Sequence, residues 1–291
     1  QEKNKEKFVS QMKIIIHGGF FSESSQSDEV KKQKQDSLKN IIKKSYEFLM
    51  SHDSMETVIY AVKLLEDDPL FNAGIGSQIQ RDGKIRLSAS LMDSEKNKFS
   101  GVINVEDIKN PILLAQYLRD EEDNVLSGEG AISYAKNKGF DYYSSETEER
   151  RNDYINNLKS SGVGTVGCVA LDKNGNLAVA TSTGGKGFEL PGRVSDSATI
   201  AGNYVNKNCG VSCTGVGEDI VSGAVAAKIV TRVTDGFSIK DAFSKTFDEL
   251  KEIDGFAGAI GIDRLGQMYC QESHPKVVYA SFDGEELIVF E

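Results

Sequence analysis

Cysteine is scarce: Cys168, Cys209, Cys213 and Cys270 are too few and too irregularly spaced for a disulfide framework, and no CxxC pair occurs. That usage suits a reducing compartment. Histidine is scarcer still, and His17, His52 and His274 lie far apart, with no HExxH and no paired Cys/His spacing, which argues against a zinc site. No apolar run approaches the ~18 residues of a membrane span, and the stretch from Gln1 to Gln11 is charged where a signal peptide needs an apolar core. A cytoplasmic protein without a membrane partner is expected. Positive charge is also in short supply. Lys and Arg number 34 against 44 Asp and Glu, for a net charge of -10, and they are scattered among acids, which excludes the basic stripe that nucleic acid requires. The chain opens at Gln1 rather than Met, leaving a missing upstream piece and a start at Met12 as two readings.

What is present is an ordinary globular composition, 39% hydrophobic and 27% charged, over 291 residues, enough to bury a sizeable core. Met12 to Ile16 reads as a buried strand closed by a tight turn at His17-Gly18-Gly19, with a long polar helix after it. Asp53, with Glu56 three residues on, caps an amphipathic helix carrying Val58, Ala61, Val62 and Leu65 and ending at Pro69. Two β-like runs around Asp82-Gly83 predict a hairpin. A strand over Gly101 to Val105, helices over Ile112 to Leu118 and Ala131 to Lys136, and a polar linker over Asp141 to Ser161 follow. A second β-rich block starts at Gly164 and turns at Asn174-Gly175 into Leu177 to Thr181. Glu218 to Val233 predicts one helix with an apolar face of Ile220, Val221, Ala224 and Ala227, and Ser238 with Asp241 caps another. Strands near Ala259 to Ile262, Val277 to Ala280 and Leu287 to Phe290 close the chain. These paired runs imply stacked α and β layers in a single domain, residues 1–291.

Gly164-Thr165 is where chemistry could begin. On these two residues alone, Thr165 is equally a β-branched residue that opens a strand. The chemical reading is that a hydroxyl after a peptide strained at glycine can attack the preceding carbonyl and free an amine. With a reference pKa of ~7.7 to 8.0, that amine can take the proton of its own hydroxyl. No Ser/His/Asp set competes, since Gly210-Val211-Ser212-Cys213-Thr214 lacks the glycine of a GxSxG elbow.

The series His17-Gly18-Gly19, Leu65 through Gly76, Asp107 through Ile112, Gly128-Glu129-Gly130-Ala131, Gly164-Thr165-Val166-Gly167, Thr181 through Gly185, Leu190 through Ser197 and Ser212 through Glu218 resembles, in order, the plant-type asparaginase and isoaspartyl aminopeptidase family of N-terminal-nucleophile hydrolases. The resemblance implies an α+β fold, a four-layer αββα sandwich, cut between Gly164 and Thr165 into an α subunit, 1–164, and a β subunit, 165–291. It implies hydrolysis of L-asparagine and of isoaspartyl dipeptides, with Thr165 as nucleophile and Thr183 steadying it; Thr183 could otherwise cap a glycine turn. Thr214 and the N–H of Gly215 would form the oxyanion hole, unless Thr214 merely ends a buried strand. Arg193 would hold the substrate α-carboxylate and Asp196 its ammonium, with Gly217 allowing close approach; the plainer reading is a surface ion pair. Asn72 would position the cleavage or catalytic groups, or else serve as a turn asparagine. No cofactor is implied for the chemistry, but the loop from Leu65 to Ile75 resembles one that binds structural sodium through backbone carbonyls. Related enzymes pair as dimers of cleaved αβ units, so a homodimer is expected.

Four departures bear on preference: Ser88 and Asp123 stand where the family carries an acidic residue and a histidine, the stretch from Asp196 to Thr214 is about two residues shorter than in the family, and the late aromatic-Asn-Thr motif is replaced near Cys270-Gln271-Glu272-Ser273. A glycosylasparaginase is the alternative within the fold, although Thr183-Gly184-Gly185 resembles the asparaginase form. A catalytically impaired relative acting as a binding protein is the alternative of another class, and a protease acting on proteins is a third.

Overall fold

A computed structural model describes residues 12–21, 26–157 and 164–291. Its larger sheet has eight strands in the order β12-β11-β1-β5-β6-β2-β3-β4, and the smaller has four in the order β10-β9-β8-β7. The larger comprises β1 (Lys13–Phe20), β2 (Leu87–Asp93), β3 (Phe99–Val105), β4 (Val125–Ser127), β5 (Thr165–Leu171), β6 (Leu177–Thr183), β11 (Val277–Phe282) and β12 (Leu287–Val289). The smaller is built from β7 (Asn203–Val205), β8 (Cys209–Gly215), β9 (Ala257–Asp263) and β10 (Met268–Glu272). Helices α1 (Asp28–Leu49), α2 (Ser54–Glu66), α3 (Pro111–Leu118) and α4 (Gly128–Asn137) pack on the larger sheet. Of α5 (Glu148–Ile155), α6 (Gly217–Gly223), α7 (Val225–Thr234) and α8 (Ile239–Lys251), the last two cover the smaller sheet. The chain is therefore α+β.

Strand alternation assigns each side chain to a layer. On β1, β5 and β6, Ile14, Ile16, Val166, Cys168, Ala178 and Ala180 join the core under α1 and α2. Ile15, Val169, Leu171, Leu177 and Val179 join Ile260 and Ile262 of β9 in a second core between the sheets. Because both faces of β5 and β6 are covered, these strands are buried throughout. By the same alternation His17, Thr165, Thr181, Thr183, Ser88 and Ser90 share the inter-sheet face with Ile15, Val169, Val179 and Met92. Their counterparts on β8 are Ser212 and Thr214, since Cys209, Val211 and Cys213 face α7 and α8. One end of the inter-sheet layer is thus apolar and the other hydroxyl-rich.

Several sequence expectations hold. Asp53 and Glu56 form a complete capping box on α2, and Ser238 caps α8. Others are corrected. His17-Gly18-Gly19 is no turn: β1 runs through it to Phe20 with an irregularity in its pairing to β11. Glycine is needed at 18 because a Cβ there would lie 2.5 Å from the Phe71 ring. Asp82-Gly83 does turn, through Gly83 N–H to the Gln80 carbonyl, but only the following run becomes a strand, and β2 pairs with β3 and β6. The stretch read as a linker carries α5, whose residues are all exposed or half-buried; its end, 158–161, lies outside the described residues. The single helix expected over Glu218 to Val233 is two, α6 and α7, broken at Ala224 in the left-handed region at φ 47°. That break rotates the apolar stripe, so Ile220 is buried and Val221 is 45% exposed.

Candidate active site

The peptide between Gly164 and Thr165 enters the head of β5, where Thr165 faces Thr183 of β6 across the ladder. The Thr165 hydroxyl donates to Thr183 Oγ1 at 3.2 Å, and Thr183 donates to the Gly164 carbonyl at 3.4 Å. Asn72 Nδ2 donates to that same carbonyl at 2.7 Å and to the Gly185 carbonyl at 2.6 Å, while Asn72 Oδ1 accepts from Gln78 N–H at 2.9 Å. Both amide ends of Asn72 are therefore held, which fixes its direction. A Cβ on residue 164 would lie 2.9 Å from Asn72 Cβ, so glycine is what lets this carbonyl come under the amide. Asn72 and Thr183 do more here than shape turns: two donors converge on one carbonyl with a hydroxyl beside it.

The second group lies around a short 3-10 turn, Asp196–Ala198. Arg193 and Asp196 are not the surface pair that their spacing also allowed. Arg193 instead engages Glu218 through Nε at 2.8 Å and Nη2 at 3.1 Å, and Asp196 is buried at 2% exposure. Burial raises the Asp196 carboxyl to about 6, opposed by the field of Arg193 and a hydrogen bond from Ser195. Its Oδ2 has no hydrogen-bond partner among the described residues. Arg193 holds Glu218 down at about 2, chiefly by direct hydrogen bonding. Gly217 sits where a Cβ would come within 2.6 Å of Arg193 Nη2 and 2.9 Å of Asp196 Oδ1, so glycine keeps space beside both charges.

Thr214 and Gly215 end β8, so Thr214 does finish a buried strand; its Oγ1 is also buried with no hydrogen-bond partner among the described residues. An unpaired buried hydroxyl is costly unless something else satisfies it. Gly215, at φ 139°, lies against the Phe256 carbonyl, where a Cβ would clash at 2.5 Å. Of the departures, Ser88 lies opposite Thr183 in the β2/β6 register and accepts from Asn104 N–H, and the Asn104 side chain donates to the Arg193 carbonyl at 2.9 Å. Ser88 therefore supports, through Asn104, the loop that carries Arg193. Ser273 Oγ accepts from Ala257 N–H at the start of β9, and Asp123 is exposed.

In the loop from Leu65 to Ile75, Ile75 N–H bonds the Glu66 carbonyl. Gly74 and Gly76, both at positive φ, are pressed against the carbonyls of Glu66, Pro69 and Phe71. Below it the Glu66 carboxyl is buried and raised to about 8, with Oε1 accepting from Ser182 Oγ at 2.7 Å and Ile112 N–H at 3.1 Å. Among the described residues no three His, Cys, Asp or Glu side chains are grouped to hold a metal ion, and no helix is long and apolar enough to cross a membrane.

Sequence reasoning gave no role to three residues. Glu218 reads in the sequence as the end of a glycine motif and the start of a helix, with no partner in view. His17 reads as part of a turn, although a lone histidine closing an apolar run is its signal. Ser212 enters the sequence reading only in a segment that fails as a nucleophile elbow; its alternation with Thr214 is the clue.

The family model described as Asparaginase matches residues 10–163 and 144–289. An isoaspartyl peptidase/L-asparaginase of Nostoc sp. is 42% identical, covering 95% of this chain and 93% of its own length. Its namesake in Synechocystis sp. is 43% identical over 94% and 88%, and the isoaspartyl peptidase of Escherichia coli is 36% identical over 88% of each. With the family model spanning residues 10–289 and these relatives matching most of the chain, it belongs to the asparaginase family.

Proposed function

We propose that the chain cuts itself between Gly164 and Thr165 and then hydrolyses L-asparagine to L-aspartate and ammonia, and isoaspartyl dipeptides to aspartate and an amino acid. The carrying observation is the convergence of Asn72 and Thr183 on the Gly164 carbonyl, with the Thr165 hydroxyl alongside. In processing, Thr165 Oγ attacks the Gly164 carbonyl carbon while Asn72 stabilises the developing oxyanion. The C–N bond breaks, the nitrogen takes the hydroxyl proton, and water hydrolyses the resulting ester. The chain then ends at Gly164, and a new one begins with a free amine on Thr165.

In turnover that amine, with a reference pKa of ~7.7 to 8.0, accepts the Thr165 hydroxyl proton as Oγ attacks the substrate side-chain carbonyl. The proton passes to the departing nitrogen, an acyl-enzyme remains, and water releases aspartate. Thr214 and Gly215 N–H receive the oxyanion, at ~3 to 4 kcal/mol per donor, which gives the orphaned Thr214 hydroxyl a partner. Arg193 takes the α-carboxylate, with Glu218 yielding part of the guanidinium, and the unpaired Asp196 Oδ2 takes the α-ammonium. Ammonium and carboxylate anchors together select a free amino-acid head group over a polypeptide.

The reading extends to three further points. The helices and two sheets stack as a four-layer αββα sandwich, as the three core clusters suggest. The crowded carbonyls of Glu66, Pro69 and Phe71 suit a structural monovalent cation such as sodium, which supplies no chemistry. Two processed αβ units pair as a homodimer.

Intact mass under denaturing conditions tests the core of this reading. Wild type is expected to give two fragments split before Thr165, and Thr165→Ala a single 31.8 kDa chain without asparaginase activity. Normal processing and turnover in that variant would refute it.

A further inference from the structure

Four side chains that this chemistry does not use form a continuous polar chain between the sheets. His17 on β1 has Nδ1 3.0 Å from the backbone carbonyl oxygen of Thr165 and Nε2 2.8 Å from Ser212 Oγ on β8. Ser212 Oγ lies 2.7 Å from Thr181 Oγ1 on β6, and Thr181 Oγ1 lies 2.8 Å from the side-chain amide of Asn203 on β7. All four side chains are fully buried. Gly167 provides the room, since a Cβ there would fall on Ser212 Oγ and His17 Nε2.

The chemistry of the groups orders the protons. A carbonyl only accepts, so the atom facing Thr165 is Nδ1–H. Burial pushes the His17 ring down to about 3, leaving it neutral, with a lone pair on Nε2 into which Ser212 must donate. Ser212 has then spent its proton, so Thr181 donates to it, and the Asn203 amide turns its NH2 toward Thr181. That orientation exchanges the amide atom without a partner among the described residues, from the nitrogen to the oxygen, and it is required because Thr181 has already given its only proton to Ser212. Every hydrogen bond then runs one way, from Asn203 to the Thr165 carbonyl.

The receiving end is where β5 most needs support. Thr165 pairs with Thr183 on one side, but the β1 register begins only at Gly18 opposite Val166, so the β1 ladder stops one residue short of Thr165. We infer that His17 is a positioning residue for the nucleophile: through the hydrogen-bonded chain from Ser212, Thr181 and Asn203, it grips the Thr165 carbonyl and holds this residue after cleavage removes the preceding peptide. The inference rests on Thr165 being the nucleophile. His17 touches none of the head-group anchors, so its loss acts on processing and kcat rather than on KM.

The test compares wild type, His17→Phe, His17→Asn and Ser212→Ala by rate of processing, steady-state kinetics of the processed fraction with asparagine, and 15N NMR of the His17 ring. His17→Phe is expected to slow both processing and kcat about tenfold or more with KM within about twofold. His17→Asn, which keeps a donor near the Nδ1 position, is expected to recover part of both. The wild-type ring is expected as the neutral Nδ1–H tautomer from about pH 5 to 8. Wild-type processing and kcat in a folded His17→Phe chain, or an Nε2–H tautomer, would overturn the inference. Should His17→Phe fail to fold, Ser212→Ala decides: a several-fold fall in kcat at constant KM with a mixed tautomer supports it, and wild-type values on both overturn it. A wild-type chain that never cleaves defeats the Thr165 reading and this inference with it, whereas one that cleaves normally beside unaffected variants defeats this inference alone.

Discussion

Burial raises the Asp196 carboxyl to about 6, from 3.8 in a solvated chain, and under the proposed ammonium-binding role this sets binding against folding. Binding an ammonium needs the carboxylate, so kcat/KM for asparagine is expected to fall as the pH drops through about 6, and a pH profile of the processed enzyme checks it. Stability runs the other way. The carboxyl favours the folded chain below 3.8, and that advantage is lost as the pH rises through about 6. Asp196→Asn is therefore expected to stabilise the chain at pH 8, by up to about 3 kcal/mol in denaturant titration, while ending turnover. Arg193→Ala is expected to leave processing intact and raise KM for asparagine about 30- to 100-fold, the loss of a charge-assisted anchor. An unchanged KM would remove the carboxylate role from Arg193.

Between α6 and α7 a single residue, Ala224, carries the change of direction at φ 47°, a conformation in which a Cβ is strained and glycine is not. Ala224→Gly is expected to raise the melting temperature, corresponding to about 0.5 to 1 kcal/mol, with activity unchanged; a fall would show that the lost packing outweighs the relieved strain. The same break explains why helical periodicity misled here. Ile220 and Val221 share a stripe with Ala224 and Ala227 only if the helix is continuous, and the cover of β8 by α7 decides otherwise. Strand periodicity served better, because side chains two apart share a face however the strand is reached. It still did not reveal the short strands β4 and β7, or β10, whose few residues carry too little pattern.

For the molecule as a whole, the proposed cleavage before Thr165 would separate β1 from β5 in chain but not in space, since β5 is paired along β1 on one side and β6 on the other. The two fragments are expected to co-elute on native size exclusion and to separate only under denaturing conditions. Dissociation in native buffer would show that the sheet does not survive the cut. Acid should act on the entire fold through His17, which burial holds at about 3 against 6.5 in the open chain. Its contribution to stability is complete above 6.5 and is lost as the pH falls toward 3, so unfolding between those limits is expected to take up a proton at this ring.

The amino-acid order by itself determined the composition class, most helices and strands, the motifs from Gly164-Thr165 to Glu218, and the residue types able to do amide chemistry. These are local properties: capping, periodicity and the choice of glycine are decided within a few residues. Only the tertiary structure decided that Asn72 reaches the Gly164 carbonyl across 92 residues, and that Arg193 turns to Glu218 instead of Asp196. It also decided that His17 lies inside a strand, bonded across the sheets to Ser212. Those pairings depend on which strands become neighbours and which faces meet, and side chains far apart in sequence acquire their partners only when the two sheets close.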